Sequence, residues 1–317
     1  MNLPKPKFKA NKKPLRKYVS LEDMRFLFLL PILALSSFLM NEVGWLFISK
    51  KISKFCGGLL SRSPKQIEEK VKEIGSKSNL AKTPMEISNA LVANEIETTF
   101  QIIRCHLPFQ WKPKIVILGE DHIKLALDKK NGAILWDSHF SFSSIVTKIG
   151  LHRAGYDLHH LSRQEHGFST TSFGVKYINP IRTSIECHYL KDRIIIQSDN
   201  SSYALNTLAE RLKNNAVISI TVRGTANRPI LTKFLGGWLK IAPGAVVLAL
   251  KTGAQLIPVF TIRHQQKLYH INVGEPINVS QTIPKDDAIK EAMNSYVTQL
   301  EPFVIQYPDQ WIDWINI

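Results

Sequence analysis

The stretch Asn131-Gly132-Ala133-Ile134-Leu135-Trp136-Asp137-Ser138-His139-Phe140 decides the fold. A turn signal, Asn131-Gly132, opens onto four consecutive apolar residues, and a polar tripeptide ending in a histidine follows. A short apolar run bounded in this way reads as a buried strand. Similar runs flank it: IVIL (115–118) before, then YDLHH (156–160), RIIIQ (193–197), AVISITV (216–222), LIPVFTI (256–262) and LYHINV (268–273). Segments 120–130, 141–151, 203–214, 243–253 and 285–305 carry helical patterning, with Gly253 placed where a helix should stop. Strands alternating with helices predict an α/β domain.

Upstream of residue 110 the signals are helical. Ser63-Pro64-Lys65-Gln66 and Thr83-Pro84-Met85-Glu86 each place a hydroxyl at the N-cap, Pro at the first helical position and Gln or Glu three residues on. Helices over 64–74 and 84–105 are therefore predicted. Further back, Phe26 to Met40 carries no charge, and apolar character resumes from Val43 to Ile48 after Asn41 and Glu42. Crossing a bilayer takes roughly 20 apolar residues, so a spanning helix would carry Glu42 near one end, whereas an interface-lying helix has no such demand. Both geometries stay open.

The flanking charge favours a membrane. Residues 1–25 hold eight Lys or Arg against Glu22 and Asp23, a net +6 out of the chain's +15. Each such residue near an anionic leaflet contributes on the order of 1 kcal/mol. Positive charge collected beside an apolar segment, rather than over a folded surface, argues against nucleic acid as partner. The basic region is too long for a secretory signal and no small-residue cleavage site follows. The expected organisation is a basic tail (1–25), a membrane anchor (26–49) formed by an apolar N-terminal membrane helix, and one catalytic-type domain (50–317).

Composition narrows the chemistry. An apolar content of 44% excludes disorder for most of the chain. Cys56, Cys105 and Cys187 are odd in number and widely spaced, which suggests neither a disulfide framework nor a zinc site, and no metal is expected. Walker A, G-x-G-x-x-G and G-x-S-x-G patterns are absent, which counts against nucleotide-dependent and serine-hydrolase chemistry. His139 follows its strand at the C-terminal end, where α/β sheets collect functional groups. His159, His160 and His166 have no acid or cysteine at metal spacing and read as strand and loop residues.

The segment order carries a resemblance over nearly the whole chain. A basic, apolar N-terminus leads through helices to G-A-I-L-W-D-S-H-F, then to Arg163 after the next strand, then to N-A-V-I-S-I-T-V. P-G-A-V-V-L-A-L-K-T-G-A-Q-L-I-P-V-F and a terminal Y-P-D-Q-W-I-D-W complete it. This resembles the lipid A biosynthesis (lauroyl/myristoyl-type) acyltransferases, relatives of the glycerol-phosphate acyltransferases. The resemblance implies a glycerol-phosphate-acyltransferase-like mixed sheet flanked by helices. It also implies transfer of a fatty acyl group from an acyl-carrier-protein or coenzyme A thioester to a hydroxyl or amine acceptor on a lipid. No cofactor beyond that donor is implied. The expected partners are membrane lipid and acyl carrier protein or coenzyme A thioester. The expected place is the bacterial inner membrane, with the main domain on the cytoplasmic side.

Residue by residue, His139 matches the family's general base, but the acid five residues on in H-x-x-x-x-D/E is Ser144 here. Asp137 is a candidate replacement, because residues two apart in an extended segment point the same way; its other reading is a cap on the following helix. The loop after the strand at 216–222 reads Arg223-Gly224-Thr225-Ala226-Asn227-Arg228. Its Gly-Thr pair is faintly similar to the glycerol-phosphate acyltransferases' E-G-T-R motif, with Arg223 in place of the Glu. Arg163, Arg223, Gly224, Thr225 and Arg228 are the candidates for holding an anionic head group or carrier phosphate. With the motif acid replaced, a catalytically impaired lipid-binding homologue is the alternative.

Overall fold

The computed structural model describes residues 17–60, 64–75, 80, 82–108, 110–196, 201–224, 228–265 and 267–317. Four helices come first: α1 (Leu21–Leu39), α2 (Glu42–Leu60), α3 (Pro64–Gly75) and α4 (Pro84–Cys105). Then follow β1 (Lys114–Leu118), α5 (Asp121–Asp128), β2 (Ala133–Asp137), α6 (Ser143–Arg153), β3 (Leu158–Arg163), α7 (Ser172–Tyr177), α8 (Pro180–His188) and β4 (Asp192–Ile196). The remainder is α9 (Ser201–Lys213), β5 (Val217–Thr221), β6 (Ile230–Phe234), β7 (Gly237–Ile241), α10 (Gly244–Thr252), β8 (Gln255–Gln265), β9 (Leu268–Val273), α11 (Lys285–Gln306) and a 3-10 turn, Asp313–Asn316.

Seven strands form one mixed sheet in the order β1-β9-β8-β2-β5-β3-β4. β8, β2, β5, β3 and β4 run parallel, and β9 returns antiparallel to β8. β2 sits at the centre and is buried along its whole length. Its side chains alternate between two cores, as a period of two requires. Ile134 and Trp136 face the layer that includes α9, α10 and α11, while Ala133 and Leu135 face α4, α5 and α6. Helices on both faces explain why β2 shows no polar alternation.

The apolar N-terminal stretch does not form the single membrane helix expected of it. The chain breaks at Met40, which is extended (φ −102°, ψ 150°), and Asn41 Oδ1 accepts the Gly44 N–H at 3.1 Å to start α2. Among the described residues no helix is long and apolar enough to cross a membrane. Both helices instead pack on α4. The Arg104 guanidinium donates to the Ser37 and Phe38 carbonyls at 2.9 Å each, and buried Trp45 stacks on Phe100. A Ser20–Asp23 capping box opens α1, and buried Asp23 also accepts from Thr171 Oγ1 at 2.7 Å. The outward face carries Leu21, Met24, Phe28, Ile32, Leu35 and Leu39, spaced three or four apart and continued by Val43 and Phe47 on α2, all exposed. Residues 1–16 of the basic tail lie outside the described residues.

Candidate active site

β2 delivers its last residues to the edge where β3, β5 and β8 also bring their C-terminal ends or middles. Asp137 lies opposite Thr221 of β5 and Val259 of β8. The Val222 N–H donates to the Asp137 carbonyl and the Ser138 N–H to the Val259 carbonyl, both at 2.8 Å. There the extended geometry stops. The Phe140 N–H donates to the Ser138 carbonyl at 3.0 Å, closing a three-residue turn centred on His139.

The turn hands the chain to a C-terminal strap. The Ile312 N–H donates to the His139 carbonyl (3.0 Å), the Ser141 N–H donates to the Gln310 carbonyl (2.7 Å), and Phe140 forms an antiparallel bridge with Trp311. These bonds place Asp313, the first residue of the 3-10 turn, beside the imidazole. Its Oδ1 lies 3.1 Å from His139 Nδ1 and accepts from Asn316 Nδ2 at 2.8 Å. The His139 side chain is 18% exposed and that of Asp313 9%. Where the carboxylate is ionised it only accepts, so in this pair Nδ1 is the donor and a neutral imidazole carries its lone pair on Nε2.

The strap is pinned from several sides. Gln310 exchanges hydrogen bonds with the backbone of Arg263 (2.8 and 2.9 Å), and buried Asn94 of α4 donates to the Asp309 carbonyl at 2.8 Å. Trp311 and Trp314 are buried edge to face with centroids 5.1 Å apart, and the Trp314 indole donates to the Pro308 carbonyl at 3.0 Å.

Asp137, expected as a possible partner for His139, takes the opposite course. Strand alternation turns it onto the α6 side, where burial pushes its carboxyl up to about 7 while Lys148 pulls it partly back. Its Oδ1 finds no hydrogen-bond partner among the described residues. Extended spacing fails to align residues 137 and 139 because the backbone leaves the strand in the turn between them.

Ser144 belongs to a different cluster. Its hydroxyl oxygen accepts from the Arg182 guanidinium. Arg182 also donates to Glu186 at 2.9 Å, and the same carboxylate takes Lys148 at 3.0 Å and His166 at 2.9 Å. Burial alone would raise the Glu186 carboxyl, but Lys148, His166 and Arg182 hold it well below the usual carboxylate range. Burial pushes the His166 imidazole down to about 4, outweighing the attraction of Glu186.

Of the remaining candidates, Arg163 and Arg223 stand at the C-terminal ends of β3 and β5. Arg163 ends β3, and its carbonyl accepts from the Arg193 guanidinium at 3.0 Å. The Arg223 carbonyl accepts from the Ala242 N–H at 2.9 Å. A side chain on Gly224 would start 2.9 Å from the Lys240 carbonyl oxygen and 3.4 Å from Asn316 Cγ, so this loop lies directly against the 3-10 turn that holds Asp313. Thr225 lies outside the described residues, and Arg228 is exposed. The α10 and β8 side chains Val246, Leu248, Leu256 and Ile257 are packed into the cores. Among the described residues no group of three or more His, Cys, Asp or Glu is placed to hold a metal ion.

Sequence reasoning did not single out Asp313. It lies in the quoted Y-P-D-Q-W-I-D-W run, but 174 residues separate it from His139. The only local signal is a carboxylate set between aromatic residues that are themselves buried.

No curated protein matches the chain. The family model of the bacterial lipid A biosynthesis acyltransferases matches residues 172–316, a span that includes the β5 loop and the strap but begins after His139. Over those residues the chain is similar to the bacterial lipid A biosynthesis acyltransferases.

Proposed function

We propose that the chain transfers a fatty acyl group from an acyl-carrier-protein or coenzyme A thioester to a hydroxyl or amine acceptor on a membrane lipid, with His139 as general base. The observation that carries this reading is His139 itself, partly exposed at the β2 edge with Nδ1 bound to a largely buried carboxylate. A hydroxyl is a poor nucleophile near neutral pH. Removal of its proton by Nε2 as the oxygen attacks the thioester carbonyl is worth on the order of 10²–10⁴ in rate. Collapse of the tetrahedral intermediate then forms the ester and expels the thiolate, which takes up the proton from the imidazolium. Arg163, Arg223 and Arg228, with Gly224 and Thr225, are the groups we assign to an anionic head group or carrier phosphate.

The outward stripe on α1 and α2 supports an interface-lying attachment. Six large apolar side chains on one exposed helix face, preceded by a basic sequence, are what an in-plane amphipathic anchor presents to an anionic leaflet. On this reading the domain sits at the cytoplasmic face of the bacterial inner membrane. Phe28→Ser combined with Ile32→Ser should reduce co-sedimentation with anionic lipid vesicles. Unchanged vesicle binding by that double variant would reject this attachment.

The chemistry is tested by single-turnover release of free thiol from acyl-carrier protein and acyl coenzyme A, with membranes and a panel of hydroxyl and amine acceptors. The parent chain should release thiol and His139→Ala should not. Donor binding without thiol release in the parent would favour the catalytically impaired lipid-binding homologue. Release that survives in His139→Ala would place the chemistry elsewhere.

A further inference from the structure

We infer that Asp313, carried by the C-terminal strap, is the positioning acid of His139 and does the work that the helix-borne acid of H-x-x-x-x-D/E would otherwise do. The inference rests on the reading of His139 as the base. Three observations carry it. The His139 Nδ1 to Asp313 Oδ1 distance is 3.1 Å, in hydrogen-bond reach. Both residues are also fixed through their backbones, because Ile312, next to Asp313, donates to the carbonyl of His139 itself. Finally, the two nearer alternatives face elsewhere: the Ser144 hydroxyl receives Arg182, and Asp137 is sealed on the α6 side with its carboxyl pushed up by burial.

The strap makes Asp313 a rigid orienter. Asn316 Nδ2 donates to the oxygen that faces the imidazole, Gln310 locks the strap to the Arg263 backbone, and Trp314 is buried one residue beyond. Asp313 acts through His139. It holds Nδ1–H toward the strap, keeps the lone pair on Nε2, and stabilises the imidazolium that forms when Nε2 removes the acceptor's proton. Asn316, which donates to this carboxylate, lies close to Gly224, where a Cβ would sit 3.4 Å from its Cγ.

The test compares Asp313→Asn, Asp313→Glu and His139→Ala in the full chain. Two readouts are used: thiol release as a function of pH, and the ring-nitrogen NMR signals of His139, assigned by difference against His139→Ala. Asp313→Asn should lower kcat by roughly 10²–10⁴-fold with little change in KM, and move the acidic limb of the pH profile to lower pH. It should also shift the His139 tautomer mixture away from Nδ1–H without substrate present. Asp313→Glu should recover part of the rate. Parental rate, pH limb and tautomer in Asp313→Asn, with His139→Ala inactive, would overturn the inference while leaving His139 as the base. Turnover in His139→Ala would overturn both. The NMR readout requires no turnover, so a variant that folds but fails to react still decides the assignment.

Discussion

Among the carboxylate–imidazole pairs of the described residues, His139–Asp313 and His166–Glu186 are built to opposite ends. His139 and Asp313 meet at the sheet edge at 3.1 Å, with one further donor, Asn316, on the carboxylate oxygen. His166 and Glu186 meet at 2.9 Å, but the Glu186 carboxylate also takes Lys148 and Arg182 and has no exposure at all. In the second cluster the positive neighbours already satisfy the acid, and burial keeps the imidazole neutral down to about pH 4. A histidine in that setting cannot accept a proton near neutrality. The first pair leaves its imidazole partly exposed to solvent, which suits the base proposed above. The two pairs thus differ in what else the carboxylate binds.

The largest expected effect that would test this contrast is at Glu186. Removing one partner of a buried ionic group strands the others, so Glu186→Gln should destabilise the chain by roughly 3–5 kcal/mol. Chemical denaturation of the parent and variant measures this. His139-dependent thiol release by the fraction that stays folded should persist. Loss of that release in folded protein would mean that the two pairs act as one unit.

A smaller effect is expected at Asp137, and its sign can be worked out. The folded-state pKa of about 7 lies above the ordinary aspartate value of 3.8, so the folded chain binds the proton more tightly. That contribution is fully present below about pH 4 and is lost as pH rises toward 7. His166 runs the other way: its folded pKa of about 4 lies below 6.5, so its contribution grows with pH across much of the same window. Asp137→Asn removes only the falling component. The stability of the variant minus that of the parent should therefore rise between about pH 4 and 7 and level off above it, as read from denaturation midpoints at fixed pH. A flat difference would show that Asp137 is ionised with a carboxylate's ordinary affinity for its proton.

Much of the fold was legible because its signals are local. The Thr83 capping box and Pro84 start α4, with the Glu86 carboxylate returning to the Thr83 N–H at 2.9 Å, and Gly253 ends α10 in the left-handed region at φ 72°. Both rest on four or five neighbouring residues. The hairpin β6–β7 escaped the sequence reading. Its turn places Leu235 (φ 47°) and Gly236 (φ 74°) in left-handed conformations, and Phe-Leu-Gly-Gly carries no Asn-Gly or Asp-Gly signal. Helices α7 and α8 were likewise passed over, although Asn179-Pro180 marks the first turn of α8. At the site, the apolar strand before His139 was legible, and the structure sets His139 in the turn directly after it. Its partner was not, because pairing with Asp313 depends on sheet order and a turn at residue 139, neither of which leaves a local pattern.

The separation of 174 residues between His139 and Asp313 has a consequence for when the site comes into being. Closing so long a loop carries an entropic cost that is offset only where the sheet and α4 hold both ends, so the pair exists only in the native topology. On the reading proposed above, the tautomer of the imidazole is then set by the finished fold and by nothing shorter.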